Sequence, residues 1–182
     1  MNPCGDLLSD LGVGVRKIVF KGDGFALAEL AAGDLEYLGE HGDGAYDVDR
    51  DGREIPIECP IYRLAVTTED GTELLGHVMW HPVTYGPSYG CLAWNFGREL
   101  LPRARGKGIG TAVLKAFVRH LFDTTDVDRI ECSTDETNVR AQKSLEKAGF
   151  TREGVLRGAQ LRKGKRHDLI SYSILRTDLK KK

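Results

Sequence analysis

The residues of this sequence that could do chemistry are concentrated in a basic, glycine-rich bend. Residues 101–117 read LPRARGKGIGTAVLKAF, and the bend within them carries alternate glycines: Gly106, Gly108 and Gly110. The run before the bend is strand-like and the run after it is helix-like. A helix N-terminus has unpaired backbone N–H groups and the positive end of the macrodipole, so it binds phosphate where the main chain can come close. Since glycine lacks a Cβ, the bend predicts a site for a phosphorylated ligand, with Arg103, Arg105 and Lys107 able to reach its outer oxygens.

Two familiar phosphate-binding motifs do not fit this spacing. A Walker A loop requires G-x-x-x-x-G-K-[ST], which the sequence lacks. A dinucleotide fingerprint requires G-x-G-x-x-G, whereas the bend reads G-x-G-x-G. The remaining alternative is a tight strand-to-helix turn with no ligand.

The elements upstream of the bend follow from hydrophobic periodicity and turn residues. Phe25 to Leu30 reads as a strand, and Gly33-Asp34 opens a short helix with Leu35 and Leu38 on one face. Two apolar runs flank Asp70-Gly71, which is a strong hairpin signal. A further strand then leads into the bend.

Downstream of the bend, the pattern alternates between helix and strand. Val113, Phe117 and Leu121 fall on one face of a helix that starts after the bend. A strand, VDRIECST, precedes a second helix that begins at Asn138, and two final strands are joined by a basic turn around Gly164. The order of these elements predicts a mixed α/β sheet.

Composition limits the class of protein. A length of 182 residues and a hydrophobic content of 41% are typical of a single globular domain. We expect that domain to span residues 1–182, with a core from about 16 to 179, a loop at about 43–58 and a disordered tail at 180–182. A formal net charge of -1 argues against a protein that coats nucleic acid.

No apolar run approaches the roughly 20 residues needed to cross a bilayer, and no secretory signal is evident, so a cytoplasmic location without membrane partners is expected. The five histidines show no H-E-x-x-H pattern, and the cysteines show no C-x-x-C spacing. We therefore predict no metal site and interpret the cysteines as buried thiols. They are Cys4, Cys59, Cys91 and Cys132.

The bend also resembles a family signature. Arg105-Gly106-Lys107-Gly108-Ile109-Gly110 matches the R/Q-x-x-G-x-G/A pattern of the GNAT acyltransferases. A second match consists of Asn138, Ala141 and Glu146-Lys147-Ala148-Gly149-Phe150, which is similar to the family's N-x-x-[AS]…E-K-x-G-F helix. Further similarity in Arg152-Glu153-Gly154 and the residues up to Ser173 resembles the branch that includes the RimJ and RimL ribosomal-protein acetyltransferases.

The resemblance implies the GNAT fold, a mixed and mostly antiparallel central sheet flanked by helices. In that fold the sheet splays between its fourth strand, here Gly90 to Leu101, and its fifth, here Arg129 to Thr134. The pantetheine arm of acyl-CoA fills the resulting wedge. Backbone N–H groups near Phe96 and Leu100 would then face the thioester oxygen as an oxyanion hole.

The resemblance also implies an activity, the transfer of an acetyl group from acetyl-CoA to a primary amine by direct attack through a tetrahedral intermediate. The amine would belong to a small molecule or a protein N-terminus. We also expect that the protein can form a homodimer. The residues implied in binding acyl-CoA are Leu100, Leu101, Arg103, Arg105, Gly106, Lys107, Gly108, Ile109, Gly110, Thr111, Asn138 and Lys143.

Candidates for the acid–base chemistry are less strongly marked. Glu99 and Glu131 could each act as general base. Many family members place a tyrosine where this chain has Leu145, so the phenolic proton donor is absent, and Ser144 is the nearby replacement. The candidates for the acceptor pocket are Trp94, Asn95, His77 and His81.

Two alternative functions and the role of one acidic segment stay open. Nucleic acid is not expected as a partner, but in one alternative the donor is another acyl carrier such as aminoacyl-tRNA. In the other, the chain is a non-catalytic acyl-CoA-binding module. Acidic residues dominate from Asp34 to Glu58. This segment is either a solvated surface or a loop over the open end of the wedge that attracts a cationic amine.

Overall fold

The computed structural model describes residues 16–48 and 59–181. Within these ranges the strands and α-helices follow in the order β1 (Ile18–Gly22), β2 (Phe25–Ala28), α1 (Asp34–His41), β3 (Tyr62–Thr67), β4 (Leu74–Thr84), β5 (Leu92–Leu100), α2 (Ile109–Thr124), β6 (Arg129–Asp135), α3 (Val139–Ala148), β7 (Thr151–Arg162) and β8 (Lys165–Leu175). Hydrogen-bonded strands follow the order β1-β2-β3-β4-β5-β6-β8-β7. In the described chain, no helix is both long enough and apolar enough to span a membrane.

The chain forms two compact units. The first unit comprises residues up to 43, 63–79 and 98–117, and the second comprises 44–62, 80–97 and the chain from 118 onward. Strands β4 and β5 and helix α2 contribute residues to both units. The expected single domain over residues 1–182 stays a prediction.

The first unit is built on an antiparallel meander. In its ladders Ala26 lies opposite Thr67, and Lys21 lies opposite Ala26 on the other side. Its buried cluster joins helix α1 to strands β3 and β4 and to the residue after β5, and consists of Tyr37, Leu38, Ala65, Leu74 and Leu101. The predicted hairpin around Asp70-Gly71 is confirmed as the connection of β3 to β4.

A buried ion pair orients α1. Arg16 Nη2 lies 2.6 Å from Asp34 Oδ1 and Arg16 Nε lies 2.8 Å from Asp34 Oδ2, with side-chain exposures of 1% and 4%. The interpretation of this acidic segment as solvated surface is therefore wrong at Asp34. Because Asp34 points inward, the residues one turn later, Tyr37 and Leu38, are also buried. Leu35 is 51% exposed and Leu38 is buried, so the prediction that they share one apolar face is wrong.

Strands β4 and β5 approach each other closely at Gly76. A Cβ on Gly76 would stand 2.8 Å from Leu100 Cα and closer still to the Glu99 carbonyl oxygen. One residue along, the Leu101 N–H donates to the Leu75 carbonyl over 2.9 Å. The end of β5 is therefore held by backbone contacts that leave no space for a side chain.

The second unit contains the parallel pair that the fold requires. Strand β5 pairs with β6 in parallel from Ala93 opposite Arg129 to Asn95 opposite Glu131, and this ladder covers three residues of each strand. Both strands continue beyond the ladder, to Leu100 and Asp135, and the predicted splay stays a prediction. Strand β6 then pairs antiparallel with β8, and β8 with β7. The mixed, mostly antiparallel sheet is thus confirmed.

The cysteines differ from the expectation of buried thiols. Cys132 is buried in β6, but Cys59 is exposed ahead of β3 and Cys91 is half-buried in the connection of β4 to β5. The expectation is wrong for these two because each lies in a surface connection. Cys4 and the acidic residues from Asp49 to Glu58 lie outside the described residues.

At the C-terminal end of the described chain, Arg176–Lys181 forms a 3₁₀ turn that includes part of the expected tail.

Substitution of Gly76 by alanine should destabilise the protein by about 1–3 kcal/mol, because the new methyl group must push β4 away from β5. Gly154→Ala is the matched control, since a Cβ at this strand glycine meets nothing within 4 Å. Urea unfolding of the two variants measures the difference. Equal stability of the two would contradict the close approach.

Candidate functional site

The glycine bend lies in the first unit, between β5 and α2. The chain passes through a short 3₁₀ turn at Pro102–Ala104 and enters α2 at Ile109. Gly106 and Gly108 have φ of 78° and 82°, which only glycine adopts readily, and a Cβ at either would meet nothing within 4 Å. Open space over a left-handed backbone leaves the amides of the bend accessible to a ligand.

Charge around the bend is positive. The first turn of α2 contains no acidic residue, and Lys107 is exposed in the bend. A helix N-terminus surrounded by cations is unfavourable unless an anion binds there, because its own macrodipole is positive at that end. The geometry therefore fits an anionic group at the start of α2.

Two arginines of the bend bind protein groups within the first unit. Arg103 Nη2 donates to the Leu74 carbonyl over 2.6 Å. Arg105 Nε donates to the Leu100 carbonyl over 2.8 Å, and its Nη atoms bind the Asp43 carboxylate. Both side chains fix the path of the bend in the absence of ligand. Their predicted contact with phosphate oxygens stays a prediction.

A third arginine contacts the bend but was missed by the sequence reasoning. Arg98 Nη1 in β5 donates to the carbonyl of Gly110 in the first turn of α2. A Cβ on Gly110 would lie 3.0 Å from Arg98 Nη1 and 3.3 Å from Arg98 Cζ. The two residues are twelve apart, across a strand end and a bend, and the sequence carries no signal for such a contact.

In the second unit, the candidate base Glu131 is the centre of a hydrogen-bond network. It is 8% exposed and accepts from Tyr85 Oη over 2.6 Å, Arg129 Nε over 2.9 Å and Asn95 Nδ2 over 3.3 Å. The ladder explains the last contact, since Asn95 lies opposite Glu131. The structure thus brings together two predicted site residues, Asn95 and Glu131, and adds Tyr85 and Arg129, which the sequence reasoning missed.

Glu131 shifts the pKa values of the side chains that bind it. Its hydrogen bond to Tyr85 raises the pKa of the Tyr85 phenol, because the carboxylate disfavours a phenolate beside it. Arg129 also forms a two-bond pair with Glu153, at 2.8 and 2.6 Å, which raises the pKa of Arg129 and lowers that of Glu153. Arg129 therefore stays cationic between the two carboxylates.

Trp94 and Asn95 do not share a face. Successive residues of a strand point to opposite sides, so Asn95 faces Glu131 and Trp94 faces away from it. Trp94 Nε1 donates to Thr125 Oγ1 over 3.2 Å. Its ring meets Tyr62 edge-on, with centroids 5.7 Å apart. Both residues stay predictions for the acceptor pocket, but they cannot line the same side of the sheet.

The remaining catalytic candidates lie in different places. Glu99 belongs to the first unit, where its carboxylate lies beside Gly42 at the end of α1. Ser144 is half-buried on α3 in the second unit, next to the buried Leu145. Among the acyl-CoA candidates, Lys143 is exposed on the same helix.

Helix α3 begins as its capping residue predicts. The side chain of Asn138 accepts a hydrogen bond from the Ala141 N–H over 3.2 Å, which confirms it as the N-cap. Gly149 closes the helix with a φ of 101°. A further role of Asn138 in binding acyl-CoA stays a prediction.

The two histidine candidates lie on β4. His77 Nδ1 is buried and has no hydrogen-bond partner within the described chain. Burial, and secondly the charge of Arg63, lower the pKa of His77 below its ordinary value of 6.5. His81 Nδ1 lies 3.3 Å from the Pro82 carbonyl. Among the hydrogen bonds of the described residues, none joins either histidine to the Glu131 network.

A cavity of about 400 Å³ adjoins the Glu131 network in the second unit. Tyr85 and Arg129 of the network line it, together with Cys91 and Asp128. The wall thus combines an aromatic ring, a thiol and two opposite charges. Gly90, Leu92 and Ala93 complete the lining, so much of the wall is apolar.

Comparison with known proteins gives one family and several relatives. Residues 48–151 match the model described as the acetyltransferase (GNAT) domain. The chain is 31% identical over 103 residues to an aminoglycoside N(6')-acetyltransferase type 1 from Klebsiella pneumoniae, covering 48% of this chain and 51% of that protein. It is 41% identical over 51 residues to a kanamycin resistance protein from Rhizobium radiobacter, covering 28% and 47%. The chain thus spans about half the length of the curated relatives it matches.

Solved structures with similar folds cover more of the chain. Spermidine N-acetyltransferase from Vibrio cholerae, in complex with CoA and spermine, has a TM-score of 0.69 at 19% identity, covering 86% of this chain and 98% of that one. RimL, a ribosomal L7/L12 α-N-protein acetyltransferase in complex with CoA, has a TM-score of 0.70 at 16% identity, covering 87% and 98%. At these identities the likeness concerns the fold.

The pKa of His77 predicts how stability depends on pH. Because the folded protein holds His77 below 6.5, the unfolded chain binds its proton first, and stability should fall as pH falls below about 6.5. His77→Leu should reduce the loss between pH 7.5 and 5.5, measured by urea unfolding. A residual slope is expected from His120, whose pKa burial also lowers. An identical loss in variant and wild type would contradict this assignment.

Proposed function

Because the chain belongs to the GNAT acetyltransferase family, we propose that it is an N-acetyltransferase that moves the acetyl group of acetyl-CoA to a primary amine. The observation that carries this proposal is the bend before α2, where Gly106 and Gly108 leave the backbone open at a helix N-terminus without acidic residues. Such a start of a helix is suited to the diphosphate of a nucleotide. The proposal also requires the expected splay of β5 from β6, which would give the extended arm of the donor its place.

The donor is bound mainly by the main chain. The backbone N–H groups from Gly106 to Gly110 bind the diphosphate, and exposed Lys107 adds a mobile charge. Arg103 and Arg105 hold the bend in position and bind phosphate oxygens as well. Thr111 and Ile109 lie in the first turn of α2, Leu100 and Leu101 precede the bend, and Asn138 and Lys143 on α3 complete the proposed donor site.

Glu131 is the proposed general base. It accepts hydrogen bonds from three side chains, so its carboxylate is held in one orientation. The amine nitrogen attacks the thioester carbon, its proton passes to Glu131 directly or through water, and the carbon–sulfur bond breaks. The thiolate then takes a proton from water, and Glu131 releases its proton to solvent; in the alternative route the amine proton passes to the thiolate itself. Leu145 offers no proton, and a thiol is a good leaving group. Glu99 and Ser144 stay weaker candidates for these proton transfers.

The acceptor is a primary amine of a small molecule or a protein N-terminus. The similarity to an aminoglycoside acetyltransferase supports the first class, and the fold likeness to RimL is compatible with the second. Assignment to the RimJ/RimL branch and formation of a homodimer remain part of the proposal. The acidic segment could attract a cationic acceptor, although Asp43 within it is paired with Arg105.

The donor site is tested by the stabilisation that CoA produces. CoA at 100 times its dissociation constant should stabilise the protein by about 2.7 kcal/mol. Gly108→Ala should weaken CoA binding, because a Cβ there occupies the open face of the bend. Gly24→Ala is the matched control, since Gly24 has a φ of 78° and equally open surroundings in the turn between β1 and β2. Both variants should lose similar stability without ligand.

Two outcomes of this test contradict the proposal. Absence of any CoA stabilisation in the wild type would remove the donor site. Stabilisation by CoA without acetylated product from a panel of polyamines, aminoglycosides and N-terminal peptides would favour a non-catalytic acyl-CoA-binding module. Product is measured by chromatography of the acetylated amine.

Glu131→Gln should lower kcat by about 100-fold or more and leave the KM for acetyl-CoA nearly unchanged, because the amide cannot take the proton. Glu153→Gln is the matched control, since Glu153 shares Arg129 with Glu131 but does not contact Asn95 or Tyr85 in the bonds of the described chain. Turnover of Glu131→Gln equal to that of Glu153→Gln would exclude Glu131 as the base.

A further inference from the structure

We propose that Arg98 is a positioning residue of the donor site, which supports the first turn of α2 and keeps a positive charge beside the diphosphate-binding amides. This inference rests on the proposed function. Arg98 lies outside the R/Q-x-x-G-x-G/A signature, near the end of β5. Its guanidinium contacts Gly110, the last residue of that signature.

The contact between Arg98 and Gly110 supports this role. The Arg98 guanidinium donates to the Gly110 carbonyl and occupies the space in which a Cβ of residue 110 would stand, with Nη1, Cζ and Nη2 at 3.0, 3.3 and 3.5 Å from that position. Gly110 lies within α2, so its backbone does not require glycine. The family signature allows alanine at this position, but in this chain the guanidinium already fills the space.

The charge of Arg98 supports the same role. A cation beside the N-terminal turn of a helix opposes the macrodipole, so an unliganded helix gains nothing from it. Arg98 binds the carbonyl of Gly110, in the first turn of α2. An anion at that turn is stabilised by the charge and by the fixed position of the amides.

Arg98 is placed to affect binding of the donor and not the proton-transfer steps. Its contact is with the Gly110 carbonyl in the first turn of α2, whereas the proposed base Glu131 accepts hydrogen bonds from Tyr85, Asn95 and Arg129. Loss of the guanidinium should therefore weaken donor binding and leave the proton transfers unaffected at saturating donor. The expected signature is a raised KM for acetyl-CoA with kcat nearly retained.

The test is a double-variant cycle of Arg98→Met and Gly110→Ala, with the dissociation constant of CoA measured by calorimetry. Arg98→Met should raise this constant by about tenfold, the loss expected of a charge-assisted contact. Arg98→Lys should restore part of the affinity, because it keeps the charge but not the planar group. Gly110→Ala should weaken binding several-fold in the wild type and have no further effect in Arg98→Met, where the space is free.

The outcomes distinguish this inference from the proposed function. Wild-type affinity in Arg98→Met, or an equal effect of Gly110→Ala in both backgrounds, overturns the role of Arg98 and leaves the acetyltransferase proposal intact. Absence of CoA binding by the wild type overturns the proposed function itself. If Arg98→Met is too unstable to assay, the cycle is run with Arg98→Lys, where a reduced effect of Gly110→Ala supports the role and an undiminished effect overturns it.

Discussion

The position of the glycine bend, the proposed donor site, depends on the backbone contact between β4 and β5. At Gly76 the two strands are too close for a side chain, and the adjoining bond from Leu101 to Leu75 holds the last residues of β5. The bend begins directly after this point and α2 begins directly after the bend. A displacement of the end of β5 would therefore move the helix N-terminus with it. Gly76 lies well before the glycine bend in the sequence, and the close approach that it permits fixes the position of the bend.

Arginines have two kinds of role around the bend. Arg103 and Arg105 bind carbonyl groups and Asp43, so they give the bend a shape before any ligand arrives. Arg98 binds the first turn of α2. Preformed amides with little to rearrange reduce the entropy lost on binding, which increases affinity for a given set of contacts. Gly106 and Gly108 leave space over the backbone of the bend, and Arg103 and Arg105 hold the bend in one conformation.

Local features of this protein could be predicted from its sequence, whereas long-range contacts could not. The glycine bend, the Asp70-Gly71 hairpin and the Asn138 cap each depend on residues adjacent in the chain. The pairs Arg16–Asp34, Tyr85–Glu131 and Arg98–Gly110 join residues 18, 46 and 12 positions apart. Their partners are set by strand order and register, which periodicity does not define. For this reason Glu131 and Asn95 were candidates from the sequence, but Tyr85, which also binds Glu131, was not.

The exposure of Cys59 has a practical consequence for enzymology. An accessible thiol exchanges with aromatic disulfide reagents, which are used to follow free CoA by colour. Cys59 is exposed and Cys91 is half-buried, so the protein itself would consume reagent in a progress curve. The burst from this reaction scales with protein concentration and is independent of the amine. A Cys59→Ser background would lower that baseline, and Cys59 itself offers a handle for attaching a spectroscopic probe ahead of β3.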